Sequence, residues 1–208
     1  MRKILFIFLF IESIKFYGQV GEDTTWLNKG DDAYSKGKYN KAIEYYTKAI
    51  ELNPKCSDAY IDRGLAKFQL NNYNESIKDY TKAIELNPND TDAYNNRGVA
   101  KDTLGKHKEA IEDFDKAIGL NPNYSSAYDN KGLSLGALGR HDEAIQNYNK
   151  AIMLAPKYGN SYYNRGISKF EMKLYNEAVN DFLKALELNP KDKDYKKWLK
   201  LARKRASN

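Results

Sequence analysis

Residues 57–90 read SDAYIDRGLAKFQLNNYNESIKDYTKAIELNPND and residues 91–124 read TDAYNNRGVAKDTLGKHKEAIEDFDKAIGLNPNY, and the two align without a gap. The same register extends outward on both sides. All five prolines of the chain, Pro54, Pro88, Pro122, Pro156 and Pro190, stand 34 residues apart. Gly30, Gly64, Gly98, Gly132 and Gly166 keep that step, as do Ala49, Ala83, Ala117, Ala151 and Ala185 and the aromatic column Trp26, Tyr60, Tyr94, Tyr128 and Tyr162. A fixed period of roughly 20 to 50 residues marks a chain of stacked units and decides the fold before any local reading. The units run 23–56, 57–90, 91–124, 125–158 and 159–192.

Each unit reads as two helices. In residues 75–87, Ile77, Tyr80, Ala83 and Ile84 recur at three- and four-residue spacing, which makes one apolar helical face. Asn40, Asn74, Asp142 and Asn176 stand where an N-cap would accept the orphan amide protons of the second helix. The proline closing each unit cannot continue a helix, so the chain turns there. Gly64 and Ala83 let two helix backbones approach closely. A hairpin of this kind keeps an apolar face that only its neighbour can cover.

Composition narrows the function. With 41% hydrophobic and 13% aromatic residues the chain is too apolar for wholesale disorder. The single cysteine, Cys56, excludes an internal disulfide framework and a zinc site built of cysteines. It lies at a unit boundary as an unpaired thiol with no assigned role. His107 and His141 are 34 residues apart and occupy the place of Tyr39, Tyr73 and Tyr175. Packed helices lie about 10 Å apart whereas zinc ligands must each reach the metal at about 2 Å, so both histidines read as stand-ins for tyrosine in helix packing. No nucleotide-binding glycine loop, nucleophile elbow or zinc-protease motif is present. Carboxylates recur with the repeat and do not form one unique acid pair. An enzyme, a metal and a cofactor are therefore not expected.

The columns of glycine, alanine, aromatic and proline at a 34-residue period closely resemble the tetratricopeptide repeat family. The resemblance implies an all-α fold: a right-handed α-solenoid of five hairpins, closed by a capping helix in residues 193–208. Two columns depart from the family pattern. The leucine before each glycine is replaced by Lys29, Arg63, Arg97, Lys131 and Arg165, and the tyrosine three residues after it by Ala33, Lys67, Lys101, Leu135 and Lys169.

These departures switch together with a third column. Arg63, Lys67 and Asp79 recur as Arg97, Lys101 and Asp113 and as Arg165, Lys169 and Asp181, whereas units one and four carry Lys29, Ala33 and Tyr45 or Lys131, Leu135 and Asn147. Like charges four residues apart on a helix repel, and a facing carboxylate offsets that cost. An Arg–Asp ion pair is predicted inside each of the three units, either to position the hairpin or to contact a ligand.

Both ends differ from the repeats. Residues 1–18 open with Arg2 and Lys3 ahead of the unbroken apolar run Ile4–Ile11, the outline of a secretory signal peptide, followed by a short linker at 19–22. A spanning helix needs about 20 apolar residues, and this run stops at Glu12. The expectation is export to the periplasm or the exterior; the other reading is a buried N-terminal helix. Residues 191–208 hold eight basic residues against Asp192 and Asp194, a surplus equal to the +6 of the entire chain. The rest is near neutral, so no nucleic-acid groove is expected. Tyr195, Trp198, Leu199 and Ala202 share one helical face, as a polar-backed cap requires.

The family resemblance implies a concave surface lined by the first helix of each unit. On it the sixth helix positions are Asn28, Asp62, Asn96, Asn130 and Asn164, with Leu65, Val99, Leu133 and Ile167 three residues on. Related arrays use such an asparagine ladder to grip the backbone of an extended peptide, since a carboxamide both donates and accepts. The alternative is ordinary solvation of a helix surface. The expected function is a non-enzymatic scaffold binding an extended or helical segment of a protein partner. The second reading is an envelope or assembly module that docks through the basic residues 193–208 to an anionic membrane or polymer; self-association through exposed solenoid ends is also open.

Overall fold

The computed structural model describes residues 23–207. The expected signal peptide and linker lie outside them. The described residues form eleven helices and no strand: α1 (23–35), α2 (Tyr39–Leu52), α3 (Ser57–Gln69), α4 (Tyr73–Leu86), α5 (Thr91–Thr103), α6 (His107–Leu120), α7 (Ser125–Ala137), α8 (His141–Leu154), α9 (Gly159–Glu171), α10 (Tyr175–Leu188) and α11 (Lys193–Ala206). The all-α architecture of tandem hairpins is as the sequence predicts. The chain divides into two compact units, residues 1–100 and 101–208. None of the described helices is long and apolar enough to cross a membrane.

The turn inside each hairpin corrects one sequence expectation. Asn40, Asn74, Asp142 and Asn176 are the second residues of their helices, and the N-cap positions belong to Lys38, Asn72, Arg140 and Leu174, with no side-chain cap bond. The reason lies in how the preceding helix stops. Gly37, Asn71, Gly105, Gly139 and Lys173 have positive φ. Around each, two backbone bonds close a Schellman motif, for example Asn72 N–H to the Lys67 carbonyl and Asn71 N–H to the Phe68 carbonyl, both at 2.9 Å. The residue after the left-handed one then starts the next helix at once, leaving no room for a spaced cap. At the far end of three hairpins the C-cap asparagine bridges the proline: Asn53, Asn87 and Asn121 accept from the backbone N–H two residues on, at 3.2, 3.3 and 3.0 Å.

In the first unit, Ala42, Tyr46 and Ala49 form the buried stripe of α2, and Ala59 and Ala66 of α3 pack against it. Gly64 of α3 carries the ring of Tyr80: a Cβ there would lie 2.7 Å from Cε1. Gly132 and Tyr148, and Gly166 and Phe182, repeat the seat in the second unit at 2.5 and 2.8 Å. Gly64 therefore receives a ring, and the close approach is not between two backbones as its size alone suggested. In the second unit α11 covers the last hairpin. Asp192 caps it by accepting from Asp194 and Tyr195 N–H, Tyr195 stacks on Tyr163 at 4.6 Å, and Trp198 meets Phe170 edge-on at 5.3 Å.

The charged triplets set the hairpins. Arg63 Nε and Nη2 donate to both carboxylate oxygens of Asp79 at 3.0 and 2.7 Å, and Lys67 Nζ lies 2.7 Å from the same group. Arg63 Nη1 reaches back to Thr47 at 3.1 Å. Arg165, Lys169 and Asp181 repeat this, with Nε at 2.9 Å and Nζ at 3.0 Å, and Lys101 holds Asp113 at 2.8 Å. The aspartates are buried, and each arginine also lies over a ring of its own helix, Tyr60 or Tyr162 at 5.5 Å. Their donors are spent inside the protein, which favours the positioning role. Where Asn147 removes the acid, Lys131 instead pairs at 2.6 Å with Asp115, which stands in the column of Thr47, Thr81 and Asn149.

Two stability experiments follow. Asp79→Ala strands two half-buried cations and is expected to cost about 2–4 kcal/mol by urea unfolding, somewhat less than breaking a fully buried pair. Replacing the whole triplet by that of unit one (Arg63→Lys, Lys67→Ala, Asp79→Tyr) is expected to recover more than half of the loss. Among the glycines, Gly166→Ala forces a methyl against the Phe182 ring and is expected to destabilise by about 1–3 kcal/mol. Gly119→Ala in α6 meets nothing within 4 Å and is expected to stabilise by up to about 1 kcal/mol, as helix propensity dictates.

Candidate functional site

The predicted site residues fall on the first helix of each hairpin. Asn28 lies exposed on α1; Asp62 and Leu65 on α3 and Asn96 and Val99 on α5 are half-buried. In the second unit Asn130 and Leu133 lie on α7, Asn164 and Ile167 on α9, with Leu133 left 42% exposed. Positions three apart share one helix face, so each helix presents its polar and apolar member side by side.

Leu133, Asn164 and Ile167 converge on one open cavity of about 380 Å³ between α7 and α9. Asn130 does not line it. Gly136, Ala137, His141, Tyr148, Ser168 and Glu171 complete the wall, and none of these is among the predicted site residues. A signal for them exists in the repeat. The column Tyr34, Phe68, Asp102, Gly136, Phe170 runs beside Tyr39, Tyr73, His107, His141, Tyr175. Three of these pairs are edge-on aromatic contacts with centroids 5.3, 5.1 and 5.1 Å apart. In the fourth, His107 Nδ1 and the Asp102 carboxylate are 2.7 Å apart. At Gly136 there is no side chain to meet His141, whose Nδ1 is buried without a hydrogen-bond partner.

Electrostatics distinguish members of the ladder. Asn164 Nδ2 donates to Asp129 at 3.3 Å, which engages one of its two N–H donors within the chain. Burial pushes the Asp129 carboxyl up, only partly offset by its hydrogen bonds. Burial, reinforced by Asp31 and Asp58, pushes Asp62 up to about 7. Near neutrality Asp62 is thus partly protonated, and a protonated carboxyl donates and accepts as the carboxamides in its column do. Burial, then Asp129 and Asp102, raise the Tyr148 hydroxyl, which stays a donor. Burial also raises the Cys56 thiol, which argues against a nucleophilic role.

This chain belongs to the tetratricopeptide repeat family. Family profiles described as TPR repeat match residues 64–101 and 132–173, and those described as tetratricopeptide repeat match 24–56, 91–124 and 159–192. Among solved structures, MamA is similar at 30% identity and a TM-score of 0.72, over 84% of this chain and 95% of that one. YrrB, described as a TPR protein with an unusual peptide-binding site, is similar at 22% identity and a TM-score of 0.71, over 94% and 97%. The TPR repeat-containing thioredoxin TDX of Oryza sativa subsp. japonica is 53% identical over 38 residues, 18% of this chain and 12% of that protein. The chain therefore spans only a small part of that curated relative.

The raised Asp62 carboxyl makes stability depend on pH. Its folded value, about 7, exceeds the ordinary 3.8, so the folded state binds the proton more tightly than the unfolded one. The resulting stabilisation is complete below about pH 4 and is lost as pH rises through about 7. Asp62→Asn is expected to flatten that decline and to raise the urea midpoint at pH 8, while changing little at pH 4.5. Parallel unfolding curves at pH 4.5, 6, 7 and 8 check this.

Proposed function

We propose that this protein is a non-enzymatic interaction scaffold that binds an extended or helical segment of another protein on the first-helix faces of its hairpins. The observation that carries this reading is the meeting of Leu133, Asn164 and Ile167 in one open cavity. The carboxamide grips the peptide backbone while the two aliphatic residues bury an apolar side chain, an arrangement suited to binding. Family membership and the fold shared with YrrB support a peptide ligand. We further propose five repeats at the boundaries read from the sequence, and export directed by residues 1–18.

A second reading rests on α11, where Lys193, Lys196, Lys197, Lys200, Arg203, Lys204 and Arg205 are all exposed. In it, this basic face docks on an anionic membrane or polymer. Salt separates the two, because charge-driven surface binding is screened and apolar burial is not.

A photo-crosslinking amino acid at Leu133 is expected to capture a defined partner in the native envelope fraction. Capture should persist in 0.5 M salt and fall at least fivefold in Asn130→Ala/Asn164→Ala at matched thermal midpoint. Capture only from a crosslinker at Lys200, abolished by salt, would overturn the groove reading and establish the second.

A further inference from the structure

We propose that Asp129 is a positioning residue of the binding face: it holds the Asn164 carboxamide with an N–H turned inward, so that the carbonyl oxygen is what a partner segment meets. This rests on the reading that Asn164 contacts the partner, and it adds the chemistry required there, a hydrogen-bond donor such as a free backbone N–H.

The contact joins two neighbouring first helices. Asn164 Nδ2 on α9 donates to Asp129 Oδ2 on α7 at 3.3 Å. A carboxylate only accepts, so the opposite orientation of the carboxamide would set two oxygens against each other. Among the described residues nothing donates to the Asn164 carbonyl oxygen, and Asn164 lines the open cavity between α7 and α9. An extended segment has unpaired backbone N–H groups to offer it, whereas those inside a helix are already bonded. The oxygen therefore favours an extended partner over a helical one.

Asp129 is set into the packing of the two helices. It is 6% exposed, and no ion pair reaches it among the described residues. Its column reads Leu27, Ile61, Asn95, Asp129 and Tyr163, and the column facing it from the next first helix reads Ala59, Ala93, Ala127, Ser161 and Tyr195. The two columns meet where Tyr163 stacks on Tyr195 and where Leu27 packs into the cluster around Ala59. Serine replaces alanine only opposite Asp129. Ser161 Oγ and Asp129 Oδ1 are both buried without a hydrogen-bond partner, although the hydroxyl is near enough to ease the carboxylate's charge.

Asp129 thus has one partner on α9 for each protonation state. Ionised, it accepts from Asn164 and fixes the carboxamide. Protonated at Oδ1, it can donate to Ser161 Oγ and pair the two orphaned atoms, while its hold on Asn164 weakens because a neutral acceptor binds an N–H less strongly. Burial raises the Asp129 carboxyl, which brings this exchange toward neutral pH. The titratable groups that feel its charge are the phenols of Tyr148 on α8 and Tyr195 on α11, and His141 and Glu171 line the cavity itself.

The test follows the Asn164 carboxamide and the Asp129 carboxyl carbon by NMR from pH 8 to pH 4, and capture by the photo-crosslinker at Leu133 over the same range. The two signals are expected to move together, with a midpoint above the ordinary carboxylate range, and capture to fall at least threefold as they do. At pH 8, N-methylacetamide, which carries an N–H, is expected to shift the Asn164 carboxamide carbon more steeply than N,N-dimethylacetamide, which does not. Asp129→Asn keeps the shape without the charge; it is expected to keep the helix content, to remove the transition at Asn164 and to hold capture at the low-pH level throughout. Asp129→Leu with Ser161→Ala, the pair standing at Leu27 and Ala59, serves if that variant misfolds. An Asn164 carboxamide that ignores the Asp129 transition, equal slopes for the two amides, or full capture by Asp129→Asn at pH 8 would each overturn the proposal. A pH profile of capture unchanged in Asp129→Asn would assign it to His141 or Glu171 and overturn it too. Capture absent at every pH, with the coupled transition intact, would remove the groove reading and leave the hold of Asp129 on Asn164 standing.

Discussion

Four of the hairpins depend on a ring laid against a helix that has no side chain beneath it. Tyr80 on Gly64, Tyr148 on Gly132 and Phe182 on Gly166 leave no space for even one methyl group between ring and backbone. That contact sets the spacing of the two helices, and the other columns follow from it. With the aromatic seated, the residues one turn to either side can only be small, which is why Ala42 and Ala49 flank Tyr46 and Ala178 and Ala185 flank Phe182, all of them buried. Close packing of this kind tolerates neither a larger nor a smaller partner without strain or a void.

A helix pair held so closely also brings its polar residues within reach of one another, and the chain uses this to set charge. The residue before the seat glycine looks in two directions, forward to the second helix of its own hairpin and back to that of the preceding one. Arg63 bonds Asp79 and Thr47, and Arg165 bonds Asp181 and Asn149. In the fourth repeat the carboxylate moves from the forward partner to the backward one, and Lys131 follows it to Asp115. The half-buried Lys131 thus keeps a carboxylate partner, now the exposed Asp115, and is not left stranded.

Much of this was legible in the sequence because a period is a global property. Five prolines at one spacing and a coincident glycine column determine the hairpin fold whatever the local propensities, and the three charged triplets predicted contacts that form at Asp79 and Asp181. The helix starts lie two residues earlier than the sequence suggests because the Schellman turn at Gly37 or Asn71 ends one helix only one residue before the N-cap of the next, so Asn40 and Asn74 sit inside their helices. The cavity was missed for a different reason. Periodic reading weights the residues that recur, and the cavity exists because one does not. Leu133, Asn164 and Ile167 were found as members of columns; Gly136 and His141 are visible only as the place where two adjacent columns fail together.

That distinction runs through the described repeats. Positions that repeat are those a hairpin needs in order to stack, and a substitution there must be answered within the same contact, as Asp115 answers Asn147. A substitution with no answer inside the chain is of another kind. Gly136 leaves the His141 imidazole with an unsatisfied nitrogen, and no neighbouring column has changed to repair it. Every other hairpin fills this position, by a ring in three cases and by a carboxylate in one, whereas here a glycine stands beside an open cavity.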